Sequence, residues 1–150
     1  MHTDTPDSGG AASALAAHLE LIGHDMQRWL ALFADDAVVE FPYAASLGRP
    51  GRLDGKAAID AFFRGTPGTF RDLTFRDLRS FPGTDPDFAV AEVHGSAIIG
   101  AMNRRYEQDY VMLLRTRAGK IVWYREYWNP IPAIEAFGGI DGLPTAQVQS

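Results

Sequence analysis

A carboxylate stands in the middle of an aromatic segment near the end of the chain, Tyr124-Arg125-Glu126-Tyr127-Trp128-Asn129-Pro130. Side chains alternate between the two faces of a β-strand, so Glu126 shares a face with Tyr124 and Trp128. Burying a charge among apolar groups is costly unless the charge is paired or neutralised. Glu126 is therefore either paired, for example with an arginine on a neighbouring strand, or held at a raised pKa for acid–base chemistry. Its aromatic neighbours favour the second interpretation.

A second set of polar side chains lies in segment 90–96, where Glu92, His94 and Ser96 share one face of a predicted strand. A polar stripe in the middle of a sheet either lines a cavity or belongs to a subunit interface. Histidine can donate or accept a proton near neutral pH. A catalytic role for His94 and a role as a hydrogen-bonded interface residue are about equally consistent with this pattern.

The composition excludes several classes of function. The chain has 150 residues, a net charge of −5 and 14 basic residues that form no run, which argues against nucleic acid or an anionic membrane as a partner. Cysteine is absent, so disulfides, thiolate metal sites and cysteine nucleophiles are excluded. His18 and His24 do not have the spacing of a two-histidine metal motif, and there is no phosphate loop or nucleophile elbow. We therefore predict no metal site.

The two ends of the chain are predicted to lie outside the folded domain. Residues 1–10 are polar and lack the basic and apolar regions of a signal peptide, which predicts a disordered tail. The absence of cysteine fits a cytoplasmic protein. No stretch approaches the ~18 apolar residues that span a bilayer. We predict one domain over residues 11–138 and a flexible tail over residues 139–150.

Helical periodicity is confined to the first half of the chain, and strand patterns dominate the second half. This order predicts an α+β fold with a largely antiparallel sheet. His18, on the first helix beside two leucines, either faces a cavity or lies at the boundary of the core, and the boundary is favoured. The predicted helices cover residues 11–22, 25–33, 56–64 and 132–137, and the predicted strands cover residues 37–41, 70–81, 88–99, 104–117 and 121–128.

The central strand predicts a homodimer. In segment 110–114 both faces of the strand are apolar, so both must be covered. The N-terminal helices can cover one face of a single sheet. Covering the other face requires a second subunit, packed sheet to sheet.

Three segments together resemble a known family. Phe33-Ala34-Asp35-Asp36-Ala37-Val38-Val39-Glu40-Phe41-Pro42 resembles the first strand of SnoaL-like proteins in the nuclear-transport-factor-2-like superfamily. Gly55-Lys56-Ala57-Ala58-Ile59 resembles the start of their third helix. Gly119-Lys120-Ile121-Val122, followed by the segment 125–130, resembles their last hairpin. The final Arg-Glu-aromatic-x-Asn-Pro is most similar to the phenazine-biosynthesis A/B type.

This resemblance implies a cone-shaped α+β fold, a cystatin-like α+β barrel in which a curved sheet wraps around three N-terminal helices and encloses a mostly apolar cavity. Members commonly dimerise through the outer face of the sheet, and they need no cofactor. Their activities include ring closure, isomerisation, dehydration, epoxide opening and condensation, and some members only bind. The fold by itself therefore does not give the function.

The resemblance also assigns roles to particular residues. In phenazine-type relatives the residue that matches Glu126 is the catalytic acid, which places Glu126 in the cavity. Relatives often keep an acid near Asp109, including the protonated oxyanion-hole aspartate of the steroid isomerases, although a paired structural aspartate is the alternative. Phe41 occupies the place of the proton-shuttling aspartate of those isomerases, so steroid isomerisation is disfavoured. Tyr43 could donate a hydrogen bond at the cavity mouth.

The sequence thus predicts a cofactor-independent enzyme acting on a small, apolar, carbonyl-bearing molecule. Glu126 would be the general acid or base of a cyclisation, isomerisation or condensation, as in natural-product biosynthesis, and His94 and Asp109 would polarise the carbonyl or tune Glu126. A non-catalytic binding protein and a dimeric scaffold with the same pocket are the alternatives. The residues predicted to line the cavity are Phe41, Tyr43, Phe63, Met112 and Trp128.

Overall fold

A six-stranded sheet forms the frame of the protein in the computed structural model, which describes residues 10–145. The strand order is β2-β1-β6-β5-β4-β3. Strands β1 and β6 are parallel, and the other neighbouring strands are antiparallel. The strands are β1 (Phe33–Glu40), β2 (Arg52–Asp54), β3 (Phe70–Ser80), β4 (Phe88–Ile99), β5 (Arg104–Arg117) and β6 (Lys120–Trp128).

The helices pack on one face of this sheet. Helix α1 (Ala11–Leu21) is followed by Gly23 in the left-handed region (φ 81°), where glycine is favoured, and the chain turns there into α2 (Met26–Leu30). The side chain of Asp25 caps α2 by accepting a hydrogen bond from the backbone N–H of Arg28 (3.1 Å). The helices are α1 (Ala11–Leu21), α2 (Met26–Leu30), α3 (Lys56–Phe63), α4 (Thr66–Thr69) and α5 (Pro130–Ala136).

Strand β5 shows how the sheet separates a buried face from an outer face. Its alternating buried residues point toward the helices, and these are Tyr106, Gln108, Tyr110, Met112, Leu114 and Thr116. The residues between them lie on the outer face, where Asp109 is exposed and Val111 and Leu113 are half-buried. The outer face of the central strand is therefore partly apolar, and the helices within residues 10–145 do not cover it.

Strand β6 contains an irregularity that keeps its aromatic face on the cavity side. Arg115 pairs with Trp123, but the next residue of β5, Thr116, pairs with Ile121, so Val122 is an extra residue. As a result both Ile121 and Tyr124 are buried. From Tyr124 onward the alternation is regular to the end of the strand.

The predicted fold class is confirmed: the chain forms an α+β structure with a curved, unclosed and largely antiparallel sheet. The predicted strands do not include the short strand β2, because the segment 44–55 is rich in glycine and has no strand pattern. The predicted second helix is also too long. Phe33 begins β1 instead of ending α2, because its side chain is buried and its strand pairs with β6 at Ile121.

Part of the segment predicted as a flexible tail, residues 139–145, has described structure. Residues Ile140–Gly142 form a 3₁₀ turn, and Leu143 is buried. The folded domain therefore extends past residue 138. The predicted disordered tail lies outside the described residues except for Gly10, as does segment 146–150. Within residues 10–145, no helix is long and apolar enough to cross a membrane.

Candidate active site

A cavity of about 830 Å³ lies between the concave face of the sheet and the helices. This volume is sufficient for a drug-sized ligand. Most of the wall is aromatic or aliphatic, with a few polar groups on the sheet side and on α1. The aromatic lining comprises Phe41, Phe62, Phe63, Phe70, Phe75, Trp128 and Phe137, and the polar groups of the sheet side and α1 are His18, Tyr106, Tyr110 and Glu126.

Glu126 lies in the cavity wall, and burial raises its pKa to about 7. Its oxygen Oε2 accepts a hydrogen bond of 2.6 Å from the hydroxyl of Tyr124. This bond lowers the pKa of Glu126, although burial has the larger effect. Among the described residues Glu126 forms no ion pair. The neighbouring Arg125 lies on the outer face and pairs with Glu40 there, at 2.8 Å between Nη2 and Oε1. The structure thus contradicts the salt-bridge alternative for Glu126.

A chain of buried hydrogen bonds leads to Glu126 from the helices. The indole of Trp29, which can only donate, donates to Nδ1 of His18 at 2.9 Å. Burial lowers the pKa of His18 to about 3, so the imidazole is neutral and its proton lies on Nε2. Nε2 then donates to the hydroxyl of Tyr124 (3.1 Å), whose own proton goes to Glu126. The direction of every bond follows from the indole at the far end.

These hydrogen bonds give the two carboxylate oxygens of Glu126 different roles. Oε2 of Glu126 is occupied by the Tyr124 hydroxyl. Oε1 is the oxygen left to exchange a proton with a ligand in the cavity. A side chain held in one orientation by such bonds is preorganised for proton transfer.

Two tyrosines supply a second polar group in the cavity. The hydroxyls of Tyr106 and Tyr110 are 3.4 Å apart, and Gln108 donates to Tyr106 at 3.0 Å. Burial raises the pKa of Tyr106 to about 12, so it stays protonated at neutral pH. One hydroxyl proton is used within the pair, and the other is left to donate to a ligand oxygen. Such a donor can stabilise charge that develops on a carbonyl oxygen.

Gly95 makes room for this tyrosine pair. A Cβ atom at this position would lie 2.9 Å from the ring of Tyr110 and 3.1 Å from the ring of Phe75. Both rings line the cavity. The missing side chain in the middle of β4 therefore permits the position of the Tyr110 ring.

The prediction that His94 and Asp109 assist Glu126 is wrong in its geometry. The two are paired in register on the outer face, with His94 Nδ1 2.8 Å from Asp109 Oδ1, and the side chain of Asp109 is 90% exposed. His94 Nε2 lies 2.7 Å from Glu107 Oε1. Both contacts raise the pKa of His94, and the bonds from His94 and Ser96 lower that of Glu107 to about 2. Because strand faces alternate, the sheet separates this outer cluster from the cavity.

Two of the five predicted lining residues lie elsewhere. Met112 faces inward but is buried in the core and is not among the residues that line the cavity. Tyr43 lies beyond the end of β1, is 46% exposed and contacts the ring of Tyr127 on the outer face. Phe41, Phe63 and Trp128 do line the cavity.

A family model matches most of the chain. The model of the SnoaL-like domain matches residues 14–124. The chain belongs to the SnoaL-like family. Solved structures of proteins with the nuclear-transport-factor-2-like fold match it across most of its length.

Three similar proteins describe the chain's relationships more closely. A PhzA/B-like protein of Pseudomonas aeruginosa is 38% identical over 117 residues, which are 78% of this chain and 82% of that protein. A solved Bacillus subtilis structure, described as a candidate isomerase, is 34% identical with a TM-score of 0.80 and covers 91% of this chain and 96% of its own. A Mycobacterium tuberculosis protein, solved in complex with estradiol-17β-hemisuccinate, is 31% identical with a TM-score of 0.69 and covers 79% and 93%. The predicted similarity to the phenazine type is confirmed.

The SnoaL-like chain contains site residues that the sequence did not reveal. His18 was favoured as a boundary histidine, yet it is buried and joins the chain of bonds to Glu126. The alternation of β5 carried a signal for Tyr106 and Tyr110, which share a face opposite Asp109. Among the described residues no group of three or more acidic or histidine side chains could hold a metal ion.

Proposed function

We propose that this SnoaL-like protein is a cofactor-independent enzyme that uses Glu126 to move a proton on a carbonyl-bearing substrate in the cavity. The observation that carries the proposal is a carboxylate with a pKa near 7 in the wall of an apolar cavity. At neutral pH such a group is present in both protonation states, so it can accept and return a proton in one cycle.

The arrangement supports a particular division of roles. A substrate carbonyl oxygen would accept the free hydroxyl proton of the Tyr106–Tyr110 pair. Ionised Glu126 would then remove a proton from the carbon beside the carbonyl, and the negative charge would develop on the oxygen held by the tyrosine. Protonated Glu126 would return the proton to a second atom. Cyclisation, isomerisation and condensation all share this first step.

A second candidate is a binding protein that uses the same cavity without turnover. The aromatic wall favours this candidate, as does the Mycobacterium tuberculosis relative that holds a steroid derivative. Under this alternative Glu126 would accept or donate a hydrogen bond to the ligand but would not exchange a proton with its carbon atoms.

Hydrogen–deuterium exchange separates the two candidates without the natural substrate. A panel of apolar ketones such as β-tetralone is incubated in D₂O, and loss of the proton signals beside the carbonyl is followed by NMR. We expect the protein to accelerate exchange of at least one ketone by a factor of roughly 10² or more over buffer. Glu126→Gln should abolish this acceleration.

Glu92→Gln is the matched control, because Glu92 is an exposed carboxylate on the outer face. It should exchange the ketone as fast as the unmodified protein. Equal rates in Glu126→Gln and the unmodified protein would refute the catalytic proposal. Binding of the ketones with no exchange above buffer would favour the binding protein.

A further inference from the structure

We infer that the cavity takes apolar ligands that carry an anionic group, and that Arg49 binds this group at the cavity mouth. The inference deepens the proposed function, since it concerns the ligand class of the same cavity. The inference rests on the proposed function because both place the ligand in this cavity. It does not depend on proton transfer by Glu126.

Arg49 lines the cavity, and in the part of the chain that the structure describes its hydrogen bonds reach only neutral groups. Its Nε donates to the backbone oxygen of Leu143 at 3.2 Å, and Nη2 donates to that of Ile140 at 2.6 Å. Nη1 lies 3.4 Å from the oxygen of Gly48. A guanidinium has five N–H donors, so two remain for a ligand.

The charge of Arg49 has no carboxylate partner among residues 10–145. The other arginine of the cavity wall, Arg64, is paired with Asp60 at 2.7 Å. Glu126 does not neutralise Arg49 either, because burial and the Tyr124 bond account for its pKa. A half-buried cation beside an apolar wall is favourably matched by an anion, which a ligand can supply.

The backbone holds Arg49 in place. Gly48 adopts the left-handed conformation (φ 72°), and the N–H of Arg49 then donates to the oxygen of Ala44 at 3.0 Å. The loop is closed by a bond from Phe41 N–H to Gly51 oxygen at 2.9 Å. A preorganised guanidinium loses little conformational freedom when it binds an anion.

The cavity therefore offers two different polar ends to one ligand. Glu126 and the tyrosine pair favour a neutral oxygen in the interior, whereas Arg49 favours a negative charge at the mouth. The aromatic wall between them fits an apolar body. A carboxylate, sulfonate or phosphate on a hydrophobic carbonyl compound has this pattern.

Two dyes with the same aromatic body test the inference. Anilinonaphthalenesulfonate is anionic, and N-phenylnaphthylamine is its neutral counterpart, and both fluoresce in apolar sites. We expect the two dyes to compete for one site, with the anionic dye about 10-fold tighter or more, as a charged hydrogen bond provides. Arg49→Met should abolish this preference while the neutral dye binds as before.

Arg64→Met is the matched control, because this arginine also lines the cavity but is already paired. It should leave the preference for the anionic dye intact. Arg49→Lys should retain part of the preference, because lysine keeps the positive charge but lacks the planar guanidinium that can donate two parallel hydrogen bonds. Unchanged binding of the neutral dye to Arg49→Met also shows that the variant folds.

Three results would overturn the inference: equal affinity of both dyes for the unmodified protein, an anionic dye that the neutral dye does not displace, or a preference that survives Arg49→Met. A parallel loss of both dyes in Arg49→Met would show that Arg49 only fastens residues 140–143. Glu126→Gln should leave the preference intact, so failure of the catalytic proposal is seen separately in the exchange assay.

Discussion

Glu126 is subject to two opposing influences on its pKa. Burial raises the pKa to about 7, and the hydrogen bond from Tyr124 lowers it. The hydroxyl of Tyr124 is in turn held by His18, whose tautomer is set by Trp29. The pKa of Glu126 therefore depends on two helix residues, His18 and Trp29, which act on its carboxyl group through Tyr124.

Removing the Tyr124 hydroxyl should raise the pKa of Glu126 above about 7. Tyr124→Phe deletes a bond that favours the ionised form, while the ring and its burial remain. The pKa can be read from the ¹³C chemical shift of the Glu126 carboxyl carbon during a pH titration. Any ketone exchange that needs ionised Glu126 should shift to higher pH with it.

Tyr127→Phe is the control for this prediction, since the hydroxyl of Tyr127 contacts Arg125 on the outer face. It should leave the titration of Glu126 unchanged. Tyr124→Phe should also lower stability by about 1–3 kcal/mol, because Nε2–H of His18 loses its buried acceptor. A Glu126 pKa that falls or stays constant in Tyr124→Phe would contradict the assigned direction of the hydrogen bonds.

Glu126→Gln should stabilise the protein at high pH. A carboxyl whose pKa rises from 4.5 to about 7 on folding opposes folding as pH increases through that interval. The cost reaches at most about 3–4 kcal/mol above pH 7, since one pKa unit corresponds to about 1.4 kcal/mol. Glutamine has no such cost and can still accept from Tyr124.

Urea denaturation at about pH 4 and pH 8 measures this difference. The two proteins should have similar stability at the lower pH, where the carboxyl is protonated in both folded and unfolded states. The variant should be more stable at the higher pH. Glu92→Gln, at an exposed position, should show no such pH-dependent gain. A loss of stability in Glu126→Gln at high pH would indicate a structural ion pair instead.

At the scale of elements, the bounds of β4 and β5 and the alternation of β6 were predictable, but the direction in which the polar side chains of β4 face was not. Strand period two placed Glu126 with Tyr124 and Trp128, and the structure shows this arrangement. The same rule placed Glu92, His94 and Ser96 together, but it could not tell which face met the helices. A polar stripe fits the wall of a cavity as well as the outer face of a sheet, so the polar character of these three residues gave no decision.

The contacts of α1 could not be predicted, for a different reason. His18 and Tyr124 are separated by 106 positions in the chain, and only the packed structure brings them to 3.1 Å. The sequence shows a histidine beside leucines, which fits a boundary position equally well. The burial of Leu143 was not predictable either, because the two successive glycines Gly138 and Gly139 favour the end of an element before it.

The pairing of β4 with β5 gives His94 a testable effect on stability. Its bonds to Glu107 and Asp109 raise its pKa above 6.5. The stabilisation is therefore fully present below pH 6.5 and is lost as pH rises through the pKa of the folded state. His94→Gln should cost more stability at about pH 5.5 than at pH 9, as measured by denaturant titration at each pH.

Asp36→Asn is a suitable comparison, because Asp36 is exposed and contacts Arg117 away from this cluster. It should show no pH-dependent cost over this interval. An equal loss for His94→Gln at both pH values would mean that the imidazole contributes only packing. Catalytic exchange should be unaffected by His94→Gln, since the sheet separates it from the cavity.

At the scale of the whole molecule, the outer face of the sheet predicts a homodimer. Val111 and Leu113 lie half-buried there beside Trp123, and the described helices pack on the other face. Light scattering at micromolar concentration should return twice the chain mass of 16.4 kDa. Leu113→Lys should yield monomers, because an interface does not tolerate an unpaired buried charge.

Thr74→Lys, at an exposed position of the edge strand β3, is the matched control and should leave the mass unchanged. A mass near 16.4 kDa for the unmodified protein would refute the predicted dimer. A dimer that persists in Leu113→Lys would place the contact on another surface.

The parallel pairing of β1 with β6 determines when the chain can fold. One edge of β1 pairs with the three-residue strand β2. Its other edge pairs with β6, which is far along the chain and ends at Trp128. A ribosome delivers the N-terminal segments first, so β1 and the helices emerge with their apolar surfaces uncovered. Loop closure over this distance is entropically unfavourable and slows folding. Formation of the complete sheet is therefore a late event that follows synthesis of nearly the whole domain, and chaperone contact is most useful in the interval before β6 arrives.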